Sequence, residues 1–204
     1  MIKPSKLFFI RHAPVKIING FFPRNNPNAI IKNNKLKKLA TLIPKNCVWY
    51  VSPLKRTIQT AKALAEYVPY SKMIKEKKLV EQNYGDWEGK KVSEIWKILE
   101  TKKSKHNFSF ISPDICPPNG ESFLEQCTRV SFWLENLNLL EGENVVIITH
   151  AGTIRAALSH TLGINPDNAV GIEILHQTIS VFEMISKKNN QHKGGRYRFL
   201  ALNK

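Results

Sequence analysis

The sequence predicts an α/β layered fold built on a mostly parallel sheet, with a helical insert over the carboxyl edge of that sheet. Two observations carry the prediction. Short runs rich in Val, Ile or Phe recur along the chain, bounded by Pro, Gly, Asn or charge, and such runs read as strands buried on both faces. Between them lie segments whose apolar residues return every three or four positions, the period of a helix. Alternation of the two implies helices layered on a sheet.

In chain order, a strand is expected at Leu7–Ile10, then a helical stripe of Leu36, Leu39, Ala40 and Ile43. A second strand at Val48–Val51 leads into a helix marked by Ile58, Ala61, Leu64 and Ala65. The stretch from Val80 to Leu140 contains no convincing strand. It holds a helix near Val92–Leu99, a Pro-rich loop at Ser112–Gly120 and a stripe of Phe123, Cys127, Val130 and Leu134, and it forms the expected insert at about 80–140. A strand at Val145–Thr149, a helix containing Ile154, Ala157 and Leu158, and strands at Gly171–Leu175 and Thr178–Ile185 follow. The polar tail Lys187–Gly195 is expected to be loose. With 204 residues the chain suits one core, so 1–204 is read as a single domain.

Composition excludes several chemistries. The longest apolar runs, such as Leu7–Ile10 and Val145–Ile148, are far too short for a membrane span or a secretory core, so a cytoplasmic protein is expected. Cys47, Cys116 and Cys127 form no C-x-x-C pair, which argues against a disulfide framework and a zinc knuckle. A cysteine nucleophile in a C-x5-R cradle is closed as well, because Pro53, Ser122 and Trp133 stand six residues on. Asp86, Asp114 and Asp167 are too far apart in sequence to pair, and no Gly-rich phosphate loop or H-E-x-x-H is present. Catalysis must run on histidine, arginine and glutamate, and neither metal nor cofactor is expected. The net charge of +15 motivates a rival reading, a protein that binds nucleic-acid backbone. Most of the 31 basic residues are lysines scattered among abundant Asn and Ile, a vocabulary that follows genome base composition, so nucleic acid is disfavoured as a partner. No signal bears on oligomeric state.

Four stretches carry the chemistry. Arg11-His12 follow the first strand directly, at the carboxyl end where α/β folds gather ligands; an imidazole can attack phosphorus and a guanidinium can hold its oxygens. Ser52-Pro53-Leu54-Lys55-Arg56 follow the second strand, where Ser52 is expected to cap a helix and Arg56 to project from its first turn. Thr149-His150-Ala151-Gly152 end a third strand, so three strand ends deliver His12, Arg56 and His150 to one edge. Glu81 opens Glu81-Gln82-Asn83-Tyr84-Gly85-Asp86-Trp87 as the acid nearest a cationic pocket. Taken singly, each has a bland reading: a chance pair, an ordinary cap, a core histidine and a solvated carboxylate. Trp87 is the tryptophan expected to touch a substrate, and His106, His160, His176 and His192 are given no role.

Together with Pro118-Asn119-Gly120-Glu121-Ser122, these pieces resemble, in order, the histidine phosphatase (phosphoglycerate-mutase-like) superfamily. The resemblance implies a three-layer α/β/α sandwich. It implies that His12 is the phosphorylated nucleophile, that Arg11 and Arg56 hold the phosphate of a small phosphorylated substrate, that Glu81 donates the proton and that His150 completes the pocket. The start Arg11-His12-Ala13-Pro14-Val15 followed by Asn19-Gly20 is similar to the bacterial α-ribazole phosphatase branch, whereas Phe22-Pro23 replaces that branch's Tyr-Gly pair. Ile18 stands where the family's commonest start has asparagine, and Asn19 or Gly20 is expected to substitute for it. Mutases of the family carry an arginine after the glutamate; Gln82 and the short chain favour hydrolysis over mutase-type phosphoryl transfer.

Overall fold

The computed structural model describes residues 3–24, 26–99, 105–190 and 193–204. Among them six strands form one sheet: β1 (Ser5–Arg11), β2 (Cys47–Val51), β3 (Tyr70–Lys75), β4 (Asn144–Thr149), β5 (Ile179–Met184) and β6 (Tyr197–Ala201), in the order β3-β2-β4-β1-β5-β6. The pairs β3–β2, β2–β4 and β4–β1 are parallel, β5 is antiparallel to β1, and β6 is antiparallel to β5. Helices cover both faces, which makes the three layers.

Alternation along the central strands divides the core in two. Leu7 and Phe9 of β1, Val145 and Ile147 of β4 and Phe182 of β5 face one way, against α4 (Phe123–Asn136), α5 (Ala151–Leu162) and α6 (Pro166–Ala169). Ile10, Val146, Ile148, Trp49 and Val51 face the other way, against α1 (Asn33–Ala40) and α2 (Lys55–Ala65). Each fully buried Leu, Ile or Phe contributes about 1.5–3 kcal/mol relative to exposure, so the central strands are held from both sides. A third, smaller core joins Phe22 to Trp87, Ile111 and the apolar face of α3 (Val92–Leu99). The part of 80–140 before α4 stands at the carboxyl edge of the sheet and contains no strand among its described residues, whereas α4 turns back as a layer helix.

Several expectations change. Gly171–Leu175 is not a strand but a loop after α6, because its carbonyls serve arginines: Ile172 O accepts from Arg155 Nε at 2.7 Å and Ile174 O accepts from Arg11 Nη1. Two further strands, β3 and β6, lie at the sheet's edges, where lysine- and arginine-bearing strands show no apolar run. In the tail, Lys187–Asn189 form a 3₁₀ turn, and His192 lies outside the described residues.

Because β1, β2 and β4 are parallel neighbours, their carboxyl ends come out on one edge. Arg11 registers with Thr149, and Val51 with Ile148. The next residues stay tied to the sheet, since His12 N donates to Thr149 O at 3.0 Å and Ser52 N to Ile148 O at 3.1 Å.

Candidate active site

These strand ends floor a cavity of about 400 Å³. Arg11, His12, Arg56 and Glu81 line it together, and His150 lies buried beside them, its ring centroid 5.0 Å from that of His12.

His12 is 4% exposed and fixed at one ring nitrogen: Nδ1 lies 2.6 Å from Ala13 O. A carbonyl only accepts, so Nδ1 carries the hydrogen and Nε2 keeps its lone pair. That nitrogen accepts from Arg56 Nε at 3.1 Å. Burial, then the neighbouring His150 and Arg56, push the imidazole pKa well below its ordinary value, with the bond to Ala13 O opposing. The ring is therefore neutral at pH 7. Burial does the same to His150, helped by Arg56 and Arg11.

Arg56 sits in the first turn of α2, as expected, but the cap differs. Leu54 is the N-cap and makes no side-chain cap bond, while the Ser52 hydroxyl lies 2.8 Å from His150 Nε2. When that hydroxyl donates to Nε2, the His150 proton sits on Nδ1, which is buried without a partner among the described residues. Arg11 Nε is likewise buried and unpartnered. Burial lowers the Arg11 pKa to about 10, partly offset by Glu81. Unpaired buried donors beside clustered guanidinium groups suit an oxyanion.

Glu81 arrives from β3 through a 3₁₀ turn at Lys77–Leu79. Its Oε1 accepts from Gln126 Nε2 at 3.1 Å and from Gln82 N at 3.2 Å, and its Oε2 accepts from Gly152 N at 3.2 Å. Burial alone would raise its pKa; the Gln126 bond, Arg56, the Gly152 N–H and Arg11 together bring it below the ordinary carboxylate value. Gly152 permits this approach, because a Cβ there would stand 2.3 Å from Glu81 Oε1.

The fifth motif braces that loop. Asp86 N donates to Pro118 O and Glu121 N to Asn83 O, both at 2.9 Å. Gly85 has φ +50°, and a Cβ on it would meet Pro118 O at 2.1 Å. Ser122 then starts α4 with a reciprocal capping box to Glu125. Glu121 is engaged by Arg129 (Nη2–Oε1 2.6 Å), and Arg129 Nη1 also donates to Lys78 O at 2.6 Å, tying α4 to the segment that leads into Glu81.

Other expectations fail at the mouth. Trp87 does not line the cavity; it packs against Phe22 in the third core, and Tyr84 takes the lining position. Neither Asn19 nor Gly20 lines it either, whereas Ile17 and Ile18 do. His176 and Arg155 were missed and both line it. The His176 ring lies 5.2 Å from that of His12, and its Nδ1 is 2.9 Å from His12 O. The available signal was topological: β5 is antiparallel, so residues just before it reach the edge where the parallel strands end. His106 and His160 bond elsewhere, to Asp167 O and Glu135.

Comparisons with known proteins identify the family and the fold. The family model described as Histidine phosphatase superfamily (branch 1) matches residues 33–193. The 2,3-bisphosphoglycerate-dependent phosphoglycerate mutase of Bartonella tribocorum is 28% identical over 159 residues, 74% of this chain and 73% of the relative. Phosphoserine phosphatase 1 of Hydrogenobacter thermophilus is 27% identical over 201 residues, 90% of this chain and 89% of the relative. Among solved structures, the alpha-ribazole phosphatase from Shigella flexneri superposes with TM-score 0.70 at 17% identity, covering 98% of this chain and 97% of that one.

Proposed function

This chain belongs to the histidine phosphatase superfamily (branch 1), and we propose that it is a metal-independent phosphomonoesterase that works through phosphohistidine at His12. One observation carries the reading. His12 is neutral, its Nδ1 is anchored on Ala13 O, and its lone-pair Nε2 faces Arg56 in a cavity that Arg11 also lines. In the substrate complex Nε2 leaves Arg56 and attacks phosphorus in line, while Arg11, Arg56 and His150 take up charge on the phosphoryl oxygens. The phosphorus–oxygen bond to the leaving group breaks, and Glu81 supplies the proton that makes it an alcohol. Water then gives a proton to the Glu81 carboxylate and its oxygen to phosphorus, releasing phosphate and free His12. Glu81 must be protonated for the first step. A bound phosphate dianion offsets the charge of Arg56 and Arg11, two of the four groups that hold Glu81 ionised, and so favours its protonated form.

Val15, Ile17, Ile18, Phe21 and Phe110 line the leaving-group side of the cavity together with Lys16 and Arg24, and the apolar share of that wall supports a small phosphorylated metabolite with an apolar ring. α-Ribazole 5′-phosphate is the first compound to assay. Mutase-type transfer is the second reading, favoured by the identity with the Bartonella enzyme; Gln82, whose amide donates to Glu121 O at 3.0 Å, brings no charge to the acid's side.

The test uses enzyme treated with chelator and a panel containing α-ribazole 5′-phosphate, p-nitrophenyl phosphate and 3-phosphoglycerate, with alkaline quenching to retain phosphohistidine. Hydrolysis without metal and label on the wild type are expected. His12→Ala should lose both while staying folded. Strict dependence on Mg²⁺ or Zn²⁺, or more than a few per cent of the rate left in His12→Ala, would sink the reading.

A further inference from the structure

Gln126 stands on the apolar face of α4 with Phe123, Val130 and Leu134, fully shielded from solvent. An amide there is costly unless satisfied, and this one is only half satisfied: Oε1 is buried with no partner among the described residues, while Nε2 lies 3.1 Å from Glu81 Oε1, 3.3 Å from Thr153 Oγ1 and 3.4 Å from Val80 O. Val80 O has other donors, Thr153 Oγ1 at 3.0 Å and Arg129 Nη1 at 3.2 Å, and Thr153 Oγ1, which gives its own proton to Leu79 O and Val80 O, is a neutral acceptor at the longer distance. Of the three acceptors Glu81 Oε1 is the nearest and the one that bears charge. A leucine or methionine would fill the position without leaving a buried acceptor unmet, so packing does not account for glutamine.

We propose that Gln126 is a positioning residue for Glu81: its amide and the Gln82 N–H together occupy Oε1, which leaves Oε2 as the oxygen that carries the proton to the leaving group and later takes one from water. The proposal rests on the reading of Glu81 as acid and base. With two donors Oε1 has both lone-pair directions used, whereas Oε2 receives, among the described residues, the Gly152 N–H alone and keeps one direction open. The carboxyl group is thereby held in one rotation, and the proton in one place. Four other groups act on Glu81 from the surrounding elements: Arg11 from β1, Arg56 from α2, Arg155 from α5 and the Tyr84 phenol from its own loop. Gln126→Met leaves all four in place.

The experiment compares Gln126→Met, Gln126→Leu and Glu81→Gln with the wild type in single-turnover phosphorylation by an alkyl phosphate and by p-nitrophenyl phosphate, whose phenolate leaves without a proton. Both Gln126 variants should slow transfer from the alkyl ester roughly tenfold, the scale of one hydrogen bond to a charged group, and transfer from the aryl ester much less. Loss of a donor to the ionised carboxylate should also move the Glu81 pKa in the kcat/KM profile upward. Tm should change little, because loss of the bond to the ionised carboxylate lowers stability while removal of the unmet acceptor raises it. Equal slowing with both esters, an unmoved pH profile, a lowered Tm with rates kept, or failure of both variants to fold would each overturn the proposal. If Glu81→Gln itself shows no leaving-group dependence, the underlying acid–base reading falls; if it does and the Gln126 variants do not, only this proposal falls.

Discussion

The two ends of the cavity are built by different means. At the phosphate end, His12, Ser52 and His150 each stand one residue beyond a parallel strand, and their backbone or neighbours are hydrogen-bonded into the sheet. At the mouth, Ile17, Ile18, Phe21 and Phe110 come from loops, and Ile17, Ile18 and Phe110 are exposed. A sheet edge sets side-chain positions by strand register, which many sequences can satisfy; a loop-built wall depends on its own side chains and can change without disturbing the sheet. The difference teaches that reaction type and substrate choice are separable in this molecule, and mutation at each end should separate them.

The largest effect is expected at the phosphate end. Arg56→Ala removes the guanidinium that meets His12 Nε2, and loss of one preorganised donor to a developing oxyanion costs about 10²–10³ in rate. The fall in kcat/KM should be the same for alkyl, aryl and sugar phosphates. A loss confined to one substrate class would break the comparison, since it would place Arg56 in recognition of the leaving group.

The same division explains what could be read in advance. Strands β1, β2 and β4 announce themselves as apolar runs because both faces are buried, and the Arg11-His12 and His150 motifs sit directly behind them. Strands β3 and β6 could not be read that way: edge strands carry lysine and arginine on solvent-facing positions. Gly171–Leu175 misled because its β-branched and apolar residues satisfy the strand pattern, yet its carbonyls are used by Arg11 and Arg155. Ser52 looked like a cap from spacing alone, whereas its hydroxyl is 2.8 Å from His150, a residue 98 positions away. Trp87 followed the acid loop in sequence but turned inward with Phe22. Local pattern gave the sheet and its edge; contacts distant in sequence decided which neighbours face the cavity.

A smaller effect is expected at the mouth. Phe110 lines the cavity with its ring 5.3 Å from Phe22 and is 40% exposed, so Phe110→Ala removes apolar wall without opening the main core. Loss of that wall should raise KM for bulky aryl phosphates about four- to fifteenfold, the equivalent of one or two buried methylene groups, and leave kcat near that of the wild type. Small alkyl phosphates should be indifferent. If kcat falls on every substrate instead, the mouth helps to organise the reacting groups and the two ends are not separable.

The smallest effect is on stability, and its sign follows from burial at the phosphate end. His12, His150 and His176 all have pKa values held below the ordinary 6.5, in each case by burial first. Below pH 6.5 the unfolded chain takes up protons that the folded chain refuses, so stability is full above that pH and declines as pH falls toward the folded values. Each histidine adds at most about 1.4 kcal/mol per pH unit in that window, or a few degrees in Tm for a chain of this length. Glu81 acts with the same sign but in a lower window, because its folded pKa lies below its ordinary 4.5. Melting curves at pH 7.5, 6.5 and 5.5 therefore report the histidines alone, and Tm should fall from 6.5 to 5.5 more than from 7.5 to 6.5. His150→Gln should shallow that decline, whereas Phe110→Ala should lower or keep Tm equally at all three. A wild-type Tm that stays flat down to pH 5.5 would mean that the buried imidazoles take up protons in the folded chain as readily as in the unfolded one, and the environment assigned to the phosphate end would be wrong.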